Sequence, residues 1–386
     1  MIDRRNFIKE LSLVGFLGML PGKSLVLAAD KFPLRAFGEN SMNGIDSSLL
    51  RGPLPIISTP FFESGQIDYD TLGNEARFII ECGCAGAIWP QSEDSYDLLT
   101  NGEKKKGIDK ILQATKRLKG KAVIGCQGND KEEMLDFAEY IEKSAKKYND
   151  NVVIISRPPD KGKTEDDLID YYTALGNGVT HPVIIQTGGG ERYRGIMPSV
   201  KMLVEIAKRF PKTFGYIKEE SGNASSRIVE EVKEKPFIKT VFSAMGGSQW
   251  LFQGRKLGSE GLFTERPAYA DLVAYIWRQM ENGDENGTLD DAFSKLLLMI
   301  NAETIFPGES LRTGMRCPHI YLLKKRGIFK NCISRAWEIK DGHRVVPETP
   351  IVVDMEMTSE QQDEVEKRFE SLKPYLRDSR KLLKTL

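Results

Sequence analysis

The sequence predicts an α/β fold, a (β/α)8 TIM barrel followed by a C-terminal helical region. Eight short apolar runs rich in β-branched residues alternate with longer amphipathic segments between residues 54 and 264. Strands that are apolar along their whole length are typical of parallel strands covered on both faces. Eight strand–helix units in little more than two hundred residues match the size of such a barrel.

The predicted strands and helices follow one another along the chain in simple alternation. The strands are predicted at residues 55–61, 85–89, 122–126, 152–155, 182–186, 214–218, 239–243 and 261–264. The helices are predicted at residues 69–82, 102–118, 131–147, 199–210, 224–234 and 249–256, and Thr164 is expected to cap the helix after strand four. An open doubly wound sheet would carry a glycine-rich fingerprint after strand one, where this chain reads Thr59-Pro60-Phe61.

Four segments are expected along the 386 residues. They are a signal peptide (residues 1–29), a linker or arm (30–50), the barrel (51–270) and a C-terminal helical region (271–386). Helices of that last region are predicted near residues 270–280, 289–300 and 359–373. Between them, residues 341–357 are rich in Pro, Val and charge, which indicates an insertion or an extended connection.

The first segment has the layout of a bacterial export signal. A basic start, Asp3-Arg4-Arg5-Asn6-Phe7-Ile8-Lys9, precedes a modest apolar stretch at residues 11–20 and the small pair Ala28-Ala29. The adjacent arginines followed by Phe and Lys resemble the twin-arginine signal, although Asp3 stands where Ser or Thr is usual. A periplasmic location is therefore expected. The alternative is a basic amphipathic helix that stays in the cytoplasm.

The composition excludes several classes of partner and site. The 55 basic and 55 acidic side chains give a formal net charge of zero, and nucleic acids or anionic membranes would require a basic surplus. No apolar run is long enough to act as a stable membrane anchor. The three histidines and five cysteines are scattered without metal-ligand or CxxC spacing, so neither a histidine-rich metal site nor a disulfide framework is expected. An ion bound by carboxylates is the alternative that this spacing leaves open.

A lysine closes the sixth predicted strand, Tyr216-Ile217-Lys218. In barrels of this type, reactive groups gather at the carboxyl ends of the strands. Burial disfavours the charged form of an amine, and a neutral amine is the nucleophile that attacks a ketone. The alternative is a lysine whose ammonium group simply extends from the strand end into solvent.

The segment that begins at this strand end resembles a family motif. Ile217-Lys218-Glu219-Glu220-Ser221-Gly222-Asn223 is similar to the Schiff-base motif I-K-E-x-[ST]-G-[ND] of the dihydrodipicolinate synthase/N-acetylneuraminate lyase family. Thr59-Pro60-Phe61 resembles the T-P-F of the family's strand one, and Asp68-Tyr69-Asp70 resembles its continuation into helix one. Weaker similarities lie at residues 82–87, 99–103 and 321–328. The resemblance runs from about residue 54 to the C terminus.

This resemblance implies a class I aldolase-like lyase in which Lys218 forms a Schiff base with a 2-oxo acid. The lysine supplies the electron sink, so no metal or organic cofactor is implied. The family's barrels are commonly tetramers, so a homo-oligomer, a tetramer or a dimer, is expected. An exported enzyme would not serve lysine biosynthesis, whose intermediates are cytoplasmic. The expected partner is therefore a small-molecule oxo acid, of pyruvate type or sugar-derived, or another sugar acid.

Two loops depart from the family pattern. After strand two the family shows G-[ST]-[TS]-G-E, which holds the carboxylate of the oxo acid, whereas this chain reads Trp89-Pro90-Gln91-Ser92-Glu93. Pro90 lacks a backbone donor, although Gln91 and Ser92 can still supply side-chain hydrogen bonds. After strand five the family places a tyrosine that transfers protons, and Gln186 stands at that position.

Another group must transfer protons if the reaction is retained, because an amide is neither a general acid nor a general base near neutral pH. Tyr193, in the loop that follows Gln186, is expected to serve, and Glu219, Glu220 and Glu265 are further candidates.

The loop after strand five also contains a glycine run, residues 188–190, followed by Arg192 and Arg194. Backbone amides of such a turn can cradle a phosphate, carboxylate or sugar acid, with the arginines adding charge. Arg157, at the end of strand four, could join them. The alternative is a flexible loop with solvated arginines.

The expected site therefore draws on most strand ends of the barrel. The expected catalytic residues are Lys218 and Tyr193, and the expected substrate contacts are Thr59, Gln91, Ser92, Gln186, Thr187, Gly188, Arg192, Glu220, Ser243 and Thr264. One alternative is a diverged barrel that binds a sugar acid or other small anion without aldolase turnover. Another is a hydrolase built on Glu93, Glu219 and Glu265, which would need two facing carboxyl groups about 5–10 Å apart.

Overall fold

The computed structural model describes residues 49–378, apart from residues 93, 189–194, 245, 265, 303–315 and 356. The expected signal peptide and nearly all of the expected arm lie outside the described residues. None of the helices in the described ranges is long and apolar enough to cross a bilayer.

Eight parallel strands form the barrel that the sequence predicts. They are β1 (Gly52–Pro55), β2 (Gly86–Trp89), β3 (Lys121–Gly125), β4 (Val152–Ser156), β5 (Val183–Gln186), β6 (Tyr216–Glu219), β7 (Thr240–Ser243) and β8 (Gly261–Thr264). Their order around the sheet is β1-β8-β7-β6-β5-β4-β3-β2. The circle closes between β1 and β2, where Ile57 N donates to Ile88 O over 3.0 Å next to a parallel bridge between Ile56 and Ile88.

Helices cover the outside of the barrel between the strands. They are α1 (Tyr69–Glu81), α2 (Asn101–Thr115), α3 (Lys131–Tyr148), α4 (Glu165–Gly178), α5 (Val200–Arg209), α6 (Ala224–Lys233), α7 (Trp250–Phe252, continued by a π-helical turn at Gln253–Leu257) and α8 (Ala270–Glu281). The predicted cap of α4 is confirmed, because the Thr164 side chain accepts from the Asp167 amide in a capping box. α2 begins with the same device, formed by Thr100 and Glu103.

The apolar core has two layers, because side chains alternate between the two faces of each strand. The inner layer fills the barrel and includes Ile184, Tyr216, Phe242 and Phe263. The outer layer lies between strands and helices and includes Ile185 and Ile217. This alternation decides which polar residues at the strand ends face the barrel interior.

Strand one lies earlier in the chain than predicted. It was expected at residues 55–61, whereas β1 covers Gly52–Pro55 and the following residues continue as isolated bridges, Ile56 with Ile88 and Phe61 with Ile67. β1 begins with Gly52, which has φ 104°, and Pro53; both residue types are rare in strands, so the sequence pattern does not mark the start of this strand.

The described part of the C-terminal region combines helices with four short strands, which the sequence analysis did not predict. Its helices are α9 (Leu289–Ile300), α10 (Cys317–Lys325) and α11 (Ser359–Glu370). β9 (Ile333–Ala336) pairs with β12 (Ile351–Asp354), and β10 (Glu338–Lys340) pairs with β11 (His343–Val345), both antiparallel. Residues 341–357, for which an insertion or an extended connection was expected, contain β11 and β12.

Candidate active site

Lys218 lies on the inner face of β6, near its carboxyl end. It shares this face with Tyr216, two residues earlier, and pairs in register with Gln186 of β5 and Phe242 of β7. Its side chain is 2% exposed. The Nζ atom lies 2.9 Å from Glu220 Oε2 and 5.4 Å from the centre of the Phe263 ring. The lysine therefore points into the barrel and does not extend into solvent.

Glu220 connects the lysine to a chain of amide side chains. Gln186 Nε2 donates to Glu220 Oε1, and Gln91 Nε2 donates to Gln186 Oε1 over 3.1 Å. Gln91 Oε1 in turn accepts from the Ser92 amide over 2.6 Å. Four of the expected site residues, Gln91, Ser92, Gln186 and Glu220, are thus brought into one hydrogen-bonded series that starts at Lys218.

Gln127, which the sequence analysis missed, extends this series. Its Nε2 donates to Ser92 Oγ over 3.4 Å, and its side chain is fully buried after β3. Its Oε1 has no hydrogen-bond partner among the described residues. Gln127 could have been found from the sequence, because it directly follows the predicted third strand and the other candidates were chosen as polar residues at strand ends.

Thr187 holds the ends of β5 and β6 together. Its amide donates to Lys218 O over 3.0 Å, and its hydroxyl accepts from the Glu220 amide over 3.0 Å. The same hydroxyl lies 3.3 Å from Lys218 O. These contacts hold the backbone at Lys218 and Glu220, so Thr187 helps to position both residues. Gly188 follows it as a buried residue.

Thr59 belongs to a separate buried cluster at the end of β1. Its amide donates to Asp94 Oδ1 over 2.9 Å, its hydroxyl donates to Asp94 Oδ2, and Trp89 Nε1 donates to that hydroxyl over 2.9 Å. Burial raises the pKa of Asp94, although the nearby Arg316 and the hydrogen bonds from Thr59 oppose this shift. The hydroxyl of Thr59 is therefore engaged by protein groups rather than directed to Lys218.

Ser243 and Thr264, which were expected to contact the substrate, lie on the strand face opposite that of Lys218. Phe242 and Phe263 occupy the inner face of their strands, so the next residue on each strand faces outward. Consistent with this, the Ser243 hydroxyl lies 2.8 Å from that of Ser259. Both residues were selected because they end predicted strands, and the sequence did not show which face of the strand they occupy.

Glu219 also faces outward, into a buried cluster with α6. Its Oε1 accepts from the Ser221 amide over 2.7 Å and its Oε2 from Arg227 Nε over 3.0 Å. Arg227 Nη2 lies 3.3 Å from Glu231 Oε1. Burial, together with the charge of Glu219, raises the pKa of Glu231 to about 10, so Glu231 keeps its proton near neutral pH. Glu219 is thus occupied outside the barrel and is removed from the candidates for proton transfer.

Several expected site residues cannot be placed. Arg192, Tyr193, Arg194, Glu93 and Glu265 lie outside the described residues. Arg157 is placed: it is buried at the end of β4 and forms an ion pair with Asp160. Within the described ranges, no group of three or more His, Cys, Asp or Glu side chains is arranged to hold a metal ion.

The C-terminal region supports the loop that carries Gln91 and Ser92. Arg316, the residue before α10, donates to Ser95 Oγ over 2.6 Å and lies 3.7 Å from Asp94. Arg335 of β9 forms a bidentate pair with Glu103, at 3.0 and 2.6 Å, and also donates to Leu98 O over 2.9 Å. Burial alone would raise the pKa of Glu103, but hydrogen bonds from Arg335 and Thr100 lower it below its ordinary value.

We expect Arg335→Met to destabilise the protein by about 2–4 kcal/mol, because Glu103 loses its arginine partner and the carbonyl oxygens of Gly65 and Leu98 lose their donor. Urea unfolding followed by circular dichroism measures this loss. The matched control is Arg209→Met, which breaks an exposed i,i+4 pair with Glu205 and should cost less than about 1 kcal/mol. Equal losses of stability in the two variants would contradict the idea that Arg335 holds the C-terminal region against the segment after β2.

Comparisons with known proteins agree with this fold. No family model matches the chain. In sequence, the chain is similar to the 4-hydroxy-tetrahydrodipicolinate synthases of Bartonella bacilliformis (24% identical over 188 residues, 48% of this chain and 60% of the relative) and Haloarcula marismortui (27% over 199 residues, 51% and 60%). A longer match, to the enzyme of Methanococcus vannielii, is 24% identical over 248 residues and covers 63% of this chain and 78% of the relative. The match thus spans about three-fifths of the first two relatives.

Solved structures give a wider but weaker match. The dihydrodipicolinate synthase of Aquifex aeolicus aligns with a TM-score of 0.63 and 20% identity, over 84% of this chain and 98% of that one. The enzyme of Rhodopseudomonas palustris aligns with a TM-score of 0.64 and 17% identity, over 83% and 97%. At these identities the structures establish the (β/α)8 fold. In sequence, the chain is thus similar to 4-hydroxy-tetrahydrodipicolinate synthases, and it shares the fold of solved dihydrodipicolinate synthases.

Proposed function

We propose that the protein is a class I aldolase-like lyase in which Lys218 forms a Schiff base with a small carbonyl substrate. The observation that carries this proposal is the placement of Lys218 Nζ inside the barrel, 2.9 Å from Glu220 and beside Phe263. A buried amine next to a carboxylate can lose its proton without exchanging it with bulk water. The imine then withdraws electrons from the neighbouring carbon–carbon bond.

The substrate class in this proposal is a 2-oxo acid, of pyruvate type or sugar-derived. The loop after β2 recognises it differently from the family pattern, because Pro90 has no backbone donor and the Ser92 amide is occupied by Gln91. Side-chain amides, namely Gln91, Gln127 and Gln186, line this side of the site instead. Amide groups both donate and accept, which suits the hydroxyl groups of a sugar-derived chain.

We also propose that the protein acts after export to the periplasm, as a homo-oligomer. The residues that motivate export, the arginine pair and the apolar stretch behind it, are outside the described part of the chain. A periplasmic enzyme would encounter scavenged oxo acids rather than biosynthetic intermediates.

The test is borohydride trapping of the protein with pyruvate, a panel of longer and hydroxylated 2-oxo acids, and the neutral ketone dihydroxyacetone. Intact and peptide mass spectrometry should show an adduct on the peptide that contains Lys218. The Lys218→Ala variant should show none. Absence of adduct with every carbonyl compound would overturn the proposal.

A further inference from the structure

The proton transfers of imine chemistry need a group close to the lysine nitrogen. An ammonium group must lose a proton before its nitrogen can attack a carbonyl carbon, and the carbonyl oxygen must later depart as water. The residue at the family's tyrosine position is Gln186, whose amide cannot exchange a proton in this pH range. Another residue must therefore supply the acid-base group.

Glu220 has the geometry for this task. Its Oε2 lies 2.9 Å from Lys218 Nζ, within direct proton-transfer distance, and its side chain is 9% exposed. Three contacts hold it: its amide donates to Thr187 Oγ1 over 3.0 Å, Gln186 Nε2 donates to Oε1, and the lysine engages Oε2. The neighbouring Glu219 is turned to the opposite face, where Arg227 and the Ser221 amide occupy its oxygens.

Glu220 and the residue at the family's tyrosine position thus meet in space. Glu220 stands at the variable position of the motif around Lys218, and Gln186 stands where the family has its tyrosine. In the structure these two residues are hydrogen-bonded to each other. The Glu220 carboxylate is therefore oriented by Gln186, the residue that stands at the position of the family's tyrosine.

We propose that Glu220 is the general acid and base of the reaction, with Gln186 as its positioning residue; this rests on the proposed function of Lys218. Glu220 accepts the ammonium proton, and the neutral amine attacks the carbonyl carbon. The C–N bond forms, and the carbonyl π pair moves to oxygen, which takes the proton from Glu220.

The nitrogen, now carrying two protons, returns one to the Glu220 carboxylate. Glu220 then protonates the hydroxyl group, the C–O bond breaks, and water leaves as the nitrogen lone pair forms the protonated imine. Glu220 ends as a carboxylate, paired with the iminium cation. From this state it can remove a proton from the carbon next to the imine and later return it.

The trapping rate distinguishes this role from that of a mere counter-ion. In Glu220→Gln, a counter-ion role predicts faster trapping, because loss of the negative charge favours the neutral amine. A general acid-base role predicts trapping slower by about 10²-fold or more, because no group relays the protons. The Glu230→Gln variant, an exposed carboxyl on α6, is the matched control and should trap at the wild-type rate.

Chemical rescue adds a readout that a structural role would not produce. Added formate should restore much of the trapping rate of Glu220→Ala, whose shortened side chain leaves room for a small carboxylate, and Glu220→Asp should keep intermediate activity. If Glu220→Gln fails to fold, these two variants decide. No adduct in the wild type would refute the proposed function itself. A wild-type adduct together with unchanged or faster trapping in Glu220→Gln, or without formate rescue, would refute the role of Glu220 alone.

Discussion

Lys218→Arg is expected to abolish the trappable adduct and to lower turnover of any accepted substrate by about 10³-fold or more. The guanidinium group stays protonated in proteins, so it cannot attack a carbonyl group. It can still pair with Glu220, which lies 2.9 Å from the present ammonium nitrogen. The substitution therefore removes the nucleophile while keeping the positive charge inside the barrel.

Comparison of Lys218→Met with Lys218→Arg separates the loss of the nucleophile from the loss of the positive charge. It removes both nucleophile and charge and leaves the largely buried Glu220 without its cation, so it should unfold at lower urea concentration than Lys218→Arg. We expect the arginine variant to stay within about 1–2 kcal/mol of wild-type stability. Trapping followed by peptide mass spectrometry measures the chemistry. An adduct that persists in Lys218→Arg would place the nucleophile on another lysine.

The barrel could be predicted from the sequence because its strands are buried on both faces. Residues 152–155 of β4, for example, are apolar at every position, and parallel strands covered on both faces give this pattern. The hairpin of β10 and β11 was missed although a signal was present. Asp341 and Gly342 form its turn with φ 50° and 78°, and Asp-Gly is a strong indicator of a two-residue hairpin.

Lys218 could be found from the sequence, whereas the faces of other strand ends could not. A lysine at the end of an apolar strand is unusual enough to be noticed in isolation. Ser243 and Thr264 needed the register of their strands, which places Phe242 beside Lys218 and turns the following residue outward. A one-residue change in register would exchange the two faces, and hydrophobic patterns in fully buried strands do not determine it.

The support of the site from the C-terminal region was likewise invisible in the sequence. Arg316 contacts Ser95 across 221 positions of the chain, and Arg335 contacts Glu103 across 232. Nothing in either segment marks the other as its partner. Such contacts arise only when the region after the barrel packs against the loop after β2.

Arg227→Met is expected to destabilise the protein by about 3–5 kcal/mol, because Arg227 is the cation that faces two fully buried carboxyl groups. Its removal leaves Glu219, the residue that follows Lys218 in the chain, without the positive charge of its partner. Urea unfolding at pH 7 measures the loss. A difference below about 1 kcal/mol would show that the buried cluster of Glu219, Arg227 and Glu231 adapts without its arginine.

Glu231→Gln tests the same cluster, but here the stability of the variant relative to wild type is expected to increase with pH. Because the pKa of Glu231 is raised to about 10 by burial and by Glu219, its contribution to stability is complete below pH 4.5 and is lost as pH rises toward 10. The amide mimics the protonated carboxyl group but does not titrate. The stability of the variant relative to wild type should therefore increase from pH 6 to pH 8, by about 2–3 kcal/mol at most. A pH-independent difference would mean that Glu231 is ionised in the folded protein and that Arg227 balances both charges.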